Sequence, residues 1–182
     1  MWRPVLALLA LGGCAQLFGL DATSQGTPDA RPDSAVIRPD GPPACAGGDA
    51  RSVDPATGAC YVFFATPMTR DAARTACQGL GATTRLASIQ SVSENTLITA
   101  LIGTSEAFIG GSDELTEGTF LWEDGTPVQL TRWNTGEPNN GVGQFEEDCI
   151  VLLGALGGVW DDRPCAPPPV DTGAYPFVCE RN

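Results

Sequence analysis

The stretch TGEPNNGVGQFEEDC, Thr135 to Cys149, decides how this chain reads. It crowds four carboxylates, Glu137, Glu146, Glu147 and Asp148, and the adjacent amides Asn139 and Asn140 into a segment whose Gly, Pro and Asn content marks loop rather than helix or strand. Carboxylates at this density repel one another unless a cation stands between them. A second acidic pair, Asp161 and Asp162 in GVWDD, follows Cys149 and precedes Cys165; a bridge between those two cysteines would hold both loops side by side. Glu137, Asn139, Glu147, Asp148, Asp161 and Asp162 then offer a mixture of carboxylate and amide oxygens, the donor set that calcium accepts at flexible geometry. The competing reading is a solvated acidic loop.

Composition removes several function classes. The chain of 182 residues is 42% hydrophobic, enough for one buried core. Its formal charge is −12, and all 10 basic residues are arginine, so no basic patch for nucleic acid is expected. Histidine is absent, which excludes serine–histidine hydrolysis and histidine-ligated zinc. Any metal here should be one that accepts oxygen.

The first 14 residues, MWRPVLALLALGGC, join one positive charge to an apolar run too short to span a bilayer, and read as an export signal. The ending Leu11-Gly12-Gly13-Cys14 resembles the bacterial lipobox, with Cys14 as the lipidated residue. The expectation is an exported protein, lipid-anchored to a bacterial membrane or cell surface and touching the membrane by that anchor only. Residues 15–44 are rich in Pro, Asp, Ser, Thr and Gly without apolar periodicity, which reads as a disordered linker with a span on the order of 30 Å.

The globular part is expected over residues 45–182. Its six cysteines, Cys45, Cys60, Cys77, Cys149, Cys165 and Cys179, are an even number in an exported chain and favour disulfides, in pairings that spacing narrows only weakly. ACYVFF reads as a strand, and MTRDAARTACQGLG as a helix with Thr69 as N-cap and a glycine stop. SVSENTLITALI carries a capping box, Ser91 with Glu94, and aligns Leu97, Leu101, Ile98 and Ile102 on one face. The runs AFIGG, TFLW, CIVLL, GVWD and PFVC read as short strands. Two helices followed by short strands predict an α+β fold.

GEPNN, EEDC, GVWDD and PFVCE, preceded by DAARTAC, LASI, FIGGSDELTEGTFLW and TRWNTGEPNN, resemble in order the C-type lectin domain over essentially all of residues 45–182. The resemblance implies that family's fold, two helices with small antiparallel sheets and a long calcium-binding loop region. It implies the long form, with Cys45–Cys60, Cys77–Cys179 and Cys149–Cys165 bridged, and Trp122, Trp133 and Trp160 as core aromatics. It further implies a principal calcium site of Glu137, Asn139, Glu147, Asp161 and Asp162, with Pro138 following a cis peptide bond. An auxiliary calcium site would draw on Asp113, Glu117, Asn140 and Asp148, with Glu147 shared.

The implied activity is binding of glycans without bond cleavage, through Glu137, Asn139, Glu147 and Asp161. The Glu-Pro-Asn order resembles that of domains selecting mannose, N-acetylglucosamine and fucose. Two departures bear on this. Asp161 stands where the family commonly has asparagine, and an ionised carboxylate cannot donate a hydrogen bond. Asn140 stands where aspartate is common. The alternatives are a calcium-ordered adhesion or protein-binding module of the same fold, and a glycosidase using Glu146 and Glu147; the overall expectation is that the protein is not an enzyme.

Overall fold

The computed structural model describes residues 45–141, 146–166 and 173–182, so the expected signal, Cys14 and the linker lie outside it. Seven strands among the described residues form one sheet: β1 (Ala50–Val53), β2 (Cys60–Met68), β3 (Arg85–Leu86), β4 (Glu106–Ser112), β5 (Cys149–Leu153), β6 (Val159–Arg163) and β7 (Tyr175–Arg181). The spatial order is β1-β2-β7-β4-β5-β6, with β3 paired to β7. All ladders are antiparallel except β4 against β7, where Phe108 stands opposite Phe177. The expected small antiparallel sheets are therefore one mixed sheet.

Alternation along the strands separates two cores. On one face, Tyr61, Phe63, Ile109, Ile150, Leu152, Trp160 and Val178 pack with Ile98 and Ile102 of helix α2 (Val92–Ile102). On the other, Val62, Phe108, Val151, Leu153 and Phe177 pack with Ala73 and Cys77 of helix α1 (Arg70–Gly79). Each helix begins where the sequence places it. Thr69 Oγ1 accepts from the Ala72 N–H, and Ser91 Oγ from the Glu94 N–H, while Glu94 accepts from the Gln90 N–H. Helix α1 closes on Leu80 as C-cap, with Gly81 directly after it. TFLW is not a strand: Leu121 alone bridges Ser112 and Pro127, because tight turns at Thr116–Thr119 and Trp122–Gly125 leave no length for a ladder.

Three disulfides staple these layers: Cys45–Cys60, Cys77–Cys179 and Cys149–Cys165. The second ties α1 to β7 across 102 residues, a loop whose closure is worth about 4 to 5 kcal/mol. Cys60 also lies opposite Arg181 in the β2–β7 ladder, and its Cα is 5.4 Å from that of Cys45.

Trp160 anchors the edge strand β6. It is fully buried, meets Trp122 and Trp133 edge-on at 5.9 and 6.0 Å, and donates from Nε1 to Asn95 Oδ1 at 2.8 Å. Asn95, itself buried, donates from Nδ2 to the Gly158 carbonyl at 2.9 Å. Gly158 has φ +78°, and a Cβ there would come within 2.0 Å of Thr99 Oγ1, so only glycine fits beneath this amide. Asn95→Ala leaves the indole N–H and the Gly158 carbonyl buried without partners; the expected loss is about 3 kcal/mol, measured by urea denaturation with an unchanged m-value.

Candidate metal centre

The edge of the sheet builds the site. Beside β6, the segment Arg132–Asn134 adds one step of parallel pairing: the Trp160 N–H donates to the Arg132 carbonyl at 2.8 Å, and the Asn134 N–H to the Trp160 carbonyl at 2.7 Å. Trp133 packs on Phe120 and Trp160, fixing this segment to the core. The chain then turns, with the Glu137 N–H on the Asn134 carbonyl, and the Glu137–Pro138 bond is cis. Asn140 takes the left-handed conformation, φ 53°, which asparagine tolerates better than most residues.

Asp162 ties this turn to β6. Its carboxylate accepts the Asn139 N–H, at 3.1 and 3.0 Å to the two oxygens, and the Asn140 N–H at 2.7 Å. Asp161 leaves β6 toward the opposite face, and because β6 is an edge strand both side chains reach the covering loop. Glu137, Asp161 and Asp162 thus each present an oxygen within 4.8 Å of the others.

Asn139, expected in the same set, lies against the trio, and Glu147 stands apart from it. The Asn139 amide donates to Glu137 Oε2, and its Oδ1 accepts the Gly141 N–H at 2.7 Å. Glu147 lies outside the tight trio, yet close enough for Asp162, Asp161 and Glu137 to raise its carboxyl, after burial as the larger cause. Burial also raises the Glu137 carboxyl, with Asp161 and Asp162 adding to it. The Asp161 carboxyl is raised by burial against the opposing pull of Arg163.

A second cluster joins Glu117, Glu146 and Asp148, each with an oxygen within 4.8 Å of the others. Two of these belong to the expected auxiliary set; Glu146 does not. Asp113 is buried beside them: its Oδ2 accepts the Gly118 N–H at 2.8 Å, and its Oδ1 is buried without a hydrogen-bond partner. Asn140 stitches the clusters together, donating to Glu146 Oε2 at 2.9 Å and accepting the Glu147 N–H at 2.9 Å. Glu146 therefore belongs to the second cluster, whereas Glu147 lies in neither trio.

The donor chemistry fits a hard divalent cation. Oxygen atoms alone converge, several carboxyls are raised by burial and then by one another's charge, and an orphaned carboxylate oxygen stands beside the second cluster. Sequence reasoning missed two participants. Arg163 donates from Nη2 to Asp161 Oδ2 at 2.6 Å; its spacing of two from Asp161 on a strand was the available signal, since it places both on one face. Glu146 was legible as one of the crowded carboxylates, but the sequence did not assign it to the second cluster.

The Lectin C-type domain profile matches residues 66–181. Among curated proteins, the mouse low affinity immunoglobulin epsilon Fc receptor is 42% identical over 106 residues, 58% of this chain and 30% of that protein. The alpha-N-acetylgalactosamine-specific lectin of Patiria pectinifera is 35% identical over 138 residues, covering 69% of this chain and 75% of that lectin. The C-type carbohydrate-recognition domain of cow CD23, solved in the presence of a GlcNAc2Man3 oligosaccharide, superposes with a TM-score of 0.61 at 32% identity, over 75% of this chain and 95% of that one. With fold, profile and relatives in agreement, this chain belongs to the C-type lectin domain family.

Proposed function

We propose that this chain is a calcium-dependent glycan-binding domain of the long form, carried outside the cell on a lipid anchor at Cys14. The observation that carries the reading is the convergence of Glu137, Asp161 and Asp162 on the loop that covers β6. Glu137, Asn139, Glu147, Asp161 and Asp162 would hold the principal ion, and Asp113, Glu117, Asn140 and Asp148, with Glu146, an auxiliary one. When bound, calcium supplies a Lewis-acid centre for the lone pairs of two vicinal sugar hydroxyls. Glu137 and Glu147 would accept hydrogen bonds from the hydroxyls, and the Asn139 amide would donate one back to a hydroxyl oxygen. The Glu-Pro-Asn order favours mannose, N-acetylglucosamine or fucose. Lipid anchoring rests on the sequence of residues 1–14.

The two relatives named above are a receptor and a lectin. A second reading, a calcium-ordered protein-binding module, is favoured by the relative whose name denotes an immunoglobulin receptor and by the engagement of Asp161 with Arg163. Competition by free sugar separates the two.

The direct test is a glycan array with and without EDTA: EDTA-sensitive retention on mannose-type glycans is expected, and no retention on any of them rejects the lectin reading. Asp161→Asn restores a donor at the ion's edge; the expected result in titration calorimetry is retained calcium uptake with sugar affinity raised about tenfold. The raised carboxyls also set a pH dependence. In the ion-free protein the folded state binds more protons than the unfolded chain between the ordinary and raised values, so stability falls as pH rises through that interval. Calcium uptake displaces those protons. The gain in melting temperature on adding calcium should therefore be larger at about pH 7.5 than at about pH 5, as read by scanning calorimetry.

A further inference from the structure

Three carboxylates converge at the principal centre, yet the protein places a cation beside them. Arg163 closes β6 and stands opposite Cys149 across the β5 ladder, on the same strand face as Asp161. Its Nη2 donates to Asp161 Oδ2 at 2.6 Å, and the pair is partly sheltered, with side chains 35% and 8% exposed. Contact at that distance in a half-buried place is a charge-assisted bond, not a loose surface pair. The trio Glu137, Asp161 and Asp162, with Glu147 beside it, gathers four carboxylates, and Arg163 offsets one of those charges.

We propose that Arg163 is a tethered counter-cation for this centre: it pairs with Asp161 along β6 in the ion-free protein, offsets there the repulsion between the β6 aspartates and Glu137 of the covering loop, and must share Asp161 with an incoming calcium ion. Affinity for the ion is thereby set lower than the carboxylates alone would set it, which makes the centre releasable. The competition half of this inference rests on the calcium reading above; the ion-free half does not. Arg163 is a positioning residue, acting on the ion and on sugar through Asp161.

The experiment compares the unaltered full chain with Arg163→Gln and Arg163→Lys, using scanning calorimetry in EDTA and isothermal titration with calcium chloride. Arg163→Gln is expected to melt about 3 °C or more below the unaltered chain in EDTA. The same variant is expected to bind calcium about tenfold more tightly, since a unit charge near a divalent ion has been removed. Arg163→Lys keeps the charge and should return both values toward the unaltered ones. Melting in EDTA that is identical in the unaltered and Gln proteins overturns the inference, as does a Lys variant that behaves like Gln. Equal calcium affinities in the unaltered and Gln proteins overturn the inference while leaving the calcium reading standing. No uptake by any of the three overturns the calcium reading itself, and the competition with it.

Discussion

A strand at the edge of a sheet exposes a row of backbone donors and acceptors that water or another segment must satisfy. In this domain the Arg132–Asn134 segment satisfies the Trp160 N–H and carbonyl of β6, and the site follows from that cover. The segment arrives with Trp133, half-buried, packed edge-on against Trp160, so its position is set by the core rather than by any ligand. Three residues later Glu137 lies over the two aspartates of β6. Without the cover, Asp161 and Asp162 would point away from one another on opposite faces with nothing between them.

Like charges are held close here by several distinct devices. Backbone N–H groups of Asn139 and Asn140 solvate Asp162, the Asn140 side chain joins Glu146 to the backbone of Glu147, and the Arg163 guanidinium meets Asp161. Each replaces hydration that the folded loops remove. The remaining imbalance shows in carboxyls raised by burial and by one another, and in the orphaned oxygen of Asp113. The arrangement is a framework prepared for positive charge.

The parts of the molecule governed by local chemistry were legible in the sequence. Thr69 and Ser91 announce helix starts because their hydroxyls replace missing backbone partners, and runs such as CIVLL announce buried strands. TFLW has the same apolar character yet forms no strand, since turn geometry on both sides outweighs propensity. The parallel step between β4 and β7 was illegible because pairing direction depends on how distant segments meet. At the site, residue types pointed to the acidic set but not to its division. Whether Glu146 or Glu147 faces a given cluster, and whether Asn139 turns its amide inward, depends on backbone turns that composition does not encode.

Cys60 brings the first and last described segments together, bridged to Cys45 and laddered to Arg181. Entry and exit of the polypeptide therefore share one spot at the rim remote from β6. A chain that departs where it arrived can be spliced whole into a surface turn of a host protein, or rejoined end to end and reopened elsewhere, with little distortion. Modular reuse is thus a geometric property of this domain.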